Sequence, residues 1–162
     1  MTQKTNLGPE DVRAYLKQIG LEREVVTLSD SARTAQMAAD SIGTSVAQIV
    51  KSLIFKGATS GAPILVLASG VNRVDEKKIA ALIGEPIKKA DADFVRAKTG
   101  FAIGGVPPFA HLEQMKTLVD QDLLTFSDIW SAGGHPHAVV NMTPTELMSV
   151  CSGQVADIKL LG

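Results

Sequence analysis

Lys51 opens an otherwise apolar phrase, Lys51-Ser52-Leu53-Ile54-Phe55. A buried ammonium needs a carboxylate or an anionic ligand, because a charge removed from water without a partner is strongly destabilising. The apolar residues that follow supply none. Farther along, Gly100-Phe101-Ala102-Ile103-Gly104-Gly105-Val106-Pro107-Pro108 makes a glycine-proline loop whose backbone N–H groups can be held against a ligand. Residue by residue, two readings stand. In one, Lys51 snorkels at a strand entrance and the glycines only turn the chain; in the other, the cation and the loop share a binding site.

The histidines fall late, at His111, His135 and His137. His135 and His137 flank Pro136 just after Gly133 and Gly134, which permit close approach to a ligand and leave either imidazole available as a donor. His-Pro-His has no cysteine or carboxylate at a zinc-ligand spacing, so no metal site is expected. Ser52 has no base nearby in sequence, and neither Ser69-Gly70 nor Ser152-Gly153 forms a nucleophile elbow. Gly100 to Gly105 lacks the lysine and hydroxyl residue that complete a phosphate-binding loop, so nucleotide hydrolysis is not supported.

The elements that must position these residues alternate irregularly. Gly8-Pro9-Glu10-Asp11 opens a helix through Ile19, a strand runs from Glu24 to Leu28, and Thr34 to Ile42 has helical spacing stopped by Gly43. Val50 to Phe55 reads as a strand with Lys51 at its start. Ile64 to Ala68 is a continuous apolar run of the central-strand type. Asp75 to Ile83 is helical, Pro86 to Lys88 is a brief edge strand, and Asp91 caps a helix that Gly100 ends. Further strands are expected near Phe101 to Ile103, Lys116 to Val119, Ala138 to Asn141 and Ala156 to Leu160, and Thr143 caps a last helix. Without a repeated βαβ unit, a mixed and strongly curved sheet is expected rather than a doubly wound parallel one.

Composition narrows the class. The chain has 162 residues, 45% hydrophobic and 20% charged, as in one soluble globular domain spanning 1–162. The first residues lack the apolar run of a signal peptide, and no apolar run reaches the roughly 18 residues of a membrane span. A cytoplasmic monomer is the default expectation. The lone Cys151 reads as a small buried apolar residue. Net charge is −1, yet Arg73, Lys77, Lys78, Lys88, Lys89, Arg96 and Lys98 cluster in one stretch. They can meet phosphates there, or form solvated faces with Asp75, Glu76, Glu85, Asp91 and Asp93.

Taken together, Val50-Lys51-Ser52-Leu53, Gly104-Gly105-Val106-Pro107-Pro108, Ile129-Trp130-Ser131-Ala132-Gly133-Gly134 and Thr143-Pro144-Thr145-Glu146-Leu147 resemble the YbaK/ProX family of aminoacyl-tRNA editing domains. None is specific alone; their order and spacing from about Glu24 to Ile158 carry the resemblance. It implies an α/β fold around a curved, barrel-like mixed sheet of six strands. It also implies deacylation of a mischarged tRNA, tRNA(Pro) in particular, without a covalent intermediate or a cofactor. Under that resemblance Lys51 engages the terminal adenosine or its phosphate, and backbone N–H groups at Gly100, Gly104 and Gly105 orient the aminoacyl group. His137 or His135 lines the other side. Ser52, Val106, Pro107, Pro108 and Gly134 complete the pocket, with Lys77, Lys78, Lys88 and Lys89 toward the tRNA. Ser52 stands where some alanine-specific relatives carry asparagine, which weakens that subtype. Prolyl-tRNA synthetase or an elongation factor is an expected transient partner. The competing functional class is a module that binds aminoacylated tRNA, or a translation-associated protein, without hydrolysing an ester.

Overall fold

The apolar run beginning at Ile64 lies at the middle of the larger of two sheets. In the computed structural model, which describes residues 6–29 and 34–161, this strand, β3 (Pro63–Ser69), is buried at every position. Its neighbour β2 (Val50–Gly57) is antiparallel and joined to it by a turn in which Gly57 N–H donates to the Ala62 carbonyl at 2.9 Å. On the other side β5 (Lys116–Asp120) runs parallel to β3, and β8 (Gln154–Ala156) runs parallel to β5. The short β4 (Ile87–Lys89) pairs antiparallel with the end of β2, giving the order β4-β2-β3-β5-β8. A second sheet has the order β1-β7-β6, from β1 (Val25–Thr27), β7 (Ala138–Met142) and β6 (Ile129–Ala132), all antiparallel neighbours.

The expected single six-stranded, barrel-like sheet is therefore corrected to a five-stranded mixed sheet and a separate three-stranded one. The reason lies in β2. Its outer edge is paired with β4 only from Phe55 to Gly57, and β6 bridges only the residue before it, Ile49, which pairs in parallel with Trp130. The intervening stretch carries no strand, so the ladder does not continue around. Phe101 to Ile103 is not a strand either. Thr99 Oγ1 accepts the Phe101 N–H at 3.0 Å, and Gly105 N–H closes a turn on the Ala102 carbonyl at 2.9 Å. The last strand falls at β8 rather than at Ala156 to Leu160, where only Lys159 bridges to Val74.

Strand alternation sorts the core into layers. Phe55, Ile64, Val66, Ala68 and Leu118 pack on one face of the large sheet with Ile79 of α3 (Glu76–Ile83). Val50, Ile54, Leu65 and Leu67 face the other way, into a larger core shared with Val25, Ile129, Val140 and Met142 of the small sheet. That core also takes Val12 and Leu16 of α1 (Pro9–Gln18), Val95 of α4 (Ala92–Thr99), and Leu147 and Cys151 of α5 (Pro144–Cys151). The outer face of the small sheet, with Val139 and Trp130, is covered by Ala38 and Ile42 of α2 (Ala35–Ile42).

Helix ends follow the local signals. Asp75, Asp91 and Thr143 accept backbone N–H groups at the starts of α3, α4 and α5, each such cap being worth about 1 kcal/mol. Glu146 completes a capping box with Thr143 and also holds Arg23 at 2.7 Å, tying α5 to the approach of β1. Among the described residues no helix is long and apolar enough to cross a membrane. The N-terminal segment read above for a leader lies largely outside the described residues.

Candidate active site

The interrupted edge of β2 opens a cleft of about 600 Å³. Lys51, Ser52, Leu53 and Ile54 form one wall, with Arg73, Val74, Glu76, Lys89, Ile103 and Gly104 around it. Because the Ile54 carbonyl accepts from Ala90 N–H on the outer edge, alternation aims the Ser52 backbone N–H and C=O outward on the same edge, into the gap. The Ser52 hydroxyl is buried with no hydrogen-bond partner among the described residues. A buried, unpaired hydroxyl is destabilising by about 1–3 kcal/mol.

Lys51 projects from the opposite face of the strand, and its ammonium donates to the backbone carbonyl of Asn72. Behind it lies a buried network that sequence reading did not find. Asn72 Nδ2 donates to Asp120 Oδ2 and to Asp122 Oδ2, both at 2.8 Å. Asp120, 1% exposed, also accepts Ser69 N–H at 3.0 Å and Asp122 N–H at 3.0 Å. Lys159 Nζ reaches Asp122 at 3.2 Å. Partial burial lowers the Lys51 pKa below the usual lysine value; the Asp120 carboxylate opposes that shift, and the Arg73 guanidinium reinforces it. The partly desolvated Lys51 ammonium and the neighbouring Arg73 guanidinium make this end of the cleft receptive to an anion.

A second, smaller pocket of about 240 Å³ adjoins the cleft. Trp130, Ser131, Ala132, Ala138 and Val139 line it from the small sheet, His137 from the turn before β7, Thr34, Ala35 and Ala38 from the start of α2, and Val50 from β2. Ser131 is wholly buried, and its hydroxyl too has no hydrogen-bond partner among the described residues. Gly104 belongs to both walls. It is exposed, with φ +86°, a conformation that suits glycine. Its neighbour Gly105 packs so tightly that a Cβ would stand 2.6 Å from the His135 carbonyl carbon, and the Gly105 carbonyl accepts Gly134 N–H at 3.0 Å. The 104–105 and 133–137 turns are thus bound together, and Gly104 shares the cleft wall with Lys51.

The other sequence candidates separate by position. The N–H groups of Gly100 and Gly105 donate to the Arg96 and Ala102 carbonyls, at 2.8 Å and 2.9 Å. Gly104 N–H has no such acceptor among the described residues. Val106, Pro107 and Pro108 are buried behind the loop, with Pro107 bonded through its carbonyl to His111 Nε2 at 2.6 Å. Gly134 abuts the start of α1, where a Cβ would meet the Gly8 carbonyl carbon at 2.8 Å. His137 lines the small pocket, whereas His135 is exposed, its Nδ1 accepting His137 N–H at 3.1 Å. Of the four lysines, Lys89 lines the cleft and Lys88 lies beside it on β4. Lys77 and Lys78 lie on α3, and Lys78 is paired with Asp157 at 3.1 Å. Asn72 and Asp120 were not singled out from sequence; Arg73 was named only among the clustered cations, and Trp130 and Ser131 only within a motif of the family resemblance. The one local signal was the polar pair Asn72-Arg73 closing an apolar strand and turn.

A family model described as an aminoacyl-tRNA editing domain matches residues 29–150. The chain belongs to that family. It is 32% identical over 138 residues to the uncharacterized protein YwhH of Bacillus subtilis, covering 85% of this chain and 87% of that one. It is 26% identical over 131 residues to a protein of Enterococcus faecalis provisionally named Cys-tRNA(Pro)/Cys-tRNA(Cys) deacylase EbsC, covering 80% and 79%. A crystal structure of a provisionally assigned trans-editing enzyme for prolyl tRNA synthetase superposes with a TM-score of 0.90 at 41% identity, over 99% of this chain and all of the other. Membership of the editing-domain family makes the chain an aminoacyl-tRNA deacylase, an ester hydrolase whose substrate is a charged tRNA.

Proposed function

We propose that this editing domain acts in trans on tRNA(Pro) carrying a small non-cognate amino acid. The observation that carries the reading is the shared wall at Gly104, with a cation-lined cleft on one side and a small, mostly apolar pocket on the other. The cleft takes the terminal nucleoside and its phosphate, with Lys51 and Arg73 toward the anion and Ser52 offering backbone and hydroxyl groups. The pocket takes the amino-acid side chain against Trp130, Ala38 and Val139, with Ser131 as its polar contact. The ester then lies over Gly104.

Hydrolysis adds water to the ester carbonyl carbon. The carbon–oxygen bond to the ribose breaks, the ribose oxygen takes a proton, and the amino acid leaves. Negative charge develops on the carbonyl oxygen, where Gly104 N–H offers a fixed donor and Lys51 a nearby positive field. An aminoacyl ester is already activated, so placement of water beside the neighbouring ribose hydroxyl accelerates cleavage without an enzyme nucleophile. His137 orients the aminoacyl group from the small-pocket side. The names carried by EbsC and the prolyl trans-editing relative support tRNA(Pro) as the acceptor. Action as a cytoplasmic monomer in transient contact with prolyl-tRNA synthetase or an elongation factor completes the proposal.

The test is hydrolysis of purified Ala-, Ser-, Cys- and 2-aminobutyryl-tRNA(Pro), with Pro-tRNA(Pro) as the cognate control. Enzyme-dependent release from at least one small non-cognate ester, with the cognate spared, is expected. Release from none, or equal release from all five, overturns the proposal.

A further inference from the structure

The register of β4 on β2 sets Lys56 directly opposite Lys88, and Phe55 opposite Lys89. Directly opposed residues project to the same side of a sheet. Lys89 therefore lies on the Lys51 face and lines the cleft, while Lys56 and Lys88 share the α4 face. There Lys56 Nζ sits 5.2 Å from the centre of the Phe94 ring, and Lys98 Nζ sits 5.8 Å from it. Like charges opposed across an antiparallel pair are unfavourable, and neither Lys56 nor Lys88 has a carboxylate partner among the described residues. The acidic groups nearby are occupied or lie to one side. Asp91 caps α4, Glu85 accepts the N–H groups of Thr59 and Ser60, and Glu113 pairs with Lys98 at 3.3 Å, leaving Asp93 exposed in the first turn of α4.

We propose that the tRNA acceptor stem leaves the cleft around the β4 edge, its phosphates following Lys89, then Lys88 and Lys56, toward Phe94. This rests on the reading of the cleft as the terminal-nucleoside site. The partner is the RNA backbone, since the strip is continuous with that cleft and is cationic on a chain of net charge −1. The stem runs past α4 and not along α3. On α3 Lys78 is already engaged by Asp157 and the Lys159 carbonyl, and neither Lys77 nor Lys78 borders the cleft.

The experiment measures binding of uncharged tRNA(Pro) over a potassium chloride series for the wild type, Lys56→Gln/Lys88→Gln and Lys77→Gln. Thermal melting verifies that each is folded. The double variant is expected to bind several-fold more weakly at low salt. Its log–log salt slope should be shallower by about 0.9 for each lysine removed, while Lys77→Gln matches the wild type. An unchanged slope in the double variant overturns the inference, as does an equal loss in Lys77→Gln. Because the ligand is uncharged, failure here is distinguishable from failure of the deacylase proposal, which the ester panel decides.

Discussion

Lys51 donates to the backbone carbonyl of Asn72, so the ammonium is held in place by a residue that its own strand does not contain. The Asn72 amide is in turn clamped between Asp120 and Asp122. Under the proposed function the cation is thereby preorganised before a substrate arrives, which is the condition under which electrostatic stabilisation is most effective.

Lys51→Ala is expected to lower kcat/KM on a mischarged tRNA(Pro) by about 100-fold or more. Single-turnover deacylation, corrected for spontaneous ester cleavage, measures it. Turnover within twofold of wild type would remove Lys51 from the mechanism.

The lowered Lys51 pKa has a definite direction in pH. Activity that needs the ammonium falls on the alkaline side earlier than an ordinary lysine would dictate. Asp120→Asn deletes the charge that opposes this shift and should move the alkaline limb to still lower pH. Between the folded pKa and the higher unfolded one, the unfolded chain binds more protons at this site. The site's contribution to stability therefore rises with pH across that interval. A pH–rate profile of Asp120→Asn superimposable on wild type would refute the coupling.

Gly105→Ala places a methyl against the His135 backbone, which cannot move aside as a flexible side chain would. A loss of about 1–3 kcal/mol in stability is expected, with activity lost as the 104–105 and 133–137 turns separate. Gly8→Ala, where a Cβ meets nothing within 4 Å, is the control. Equal melting temperatures for the two variants would contradict the packing described.

Ala38→Leu adds bulk to the small pocket. It should depress hydrolysis of 2-aminobutyryl-tRNA(Pro) more than of Ala-tRNA(Pro), since one methylene is worth about 1–3 kcal/mol in such a pocket. Relative kcat/KM values from competition assays report the change. A uniform loss across both esters would place the side chain elsewhere.

Local signals were the legible ones. The central strand at β3 and the caps Asp75, Asp91 and Thr143 follow from residue types within a few positions of one another, and the structure keeps them. Lys51 and Gly104 line one cleft, and Gly104 joins it to the pocket that His137 lines, while His135 borders neither. Asn72 and Asp120 were invisible because they meet across 48 positions of sequence, each looking by itself like a residue at the end of a strand. The division into two sheets was equally hidden. It depends on where the outer edge of β2 is left unpaired, and hydrophobic alternation does not encode pairing partners. Lys56 escaped notice for the same reason, since only the register with β4 brings it to Lys88.

That terminal strand also bears on solubility. An outermost strand is a template on which a stray polypeptide can add itself, and lysine is among the commonest deterrents to such accretion. With three residues and two adjacent lysines, β4 is short and repellent to a second copy of the chain. Replacing those amines for tighter or looser RNA affinity would therefore also change how readily the protein self-associates at high concentration.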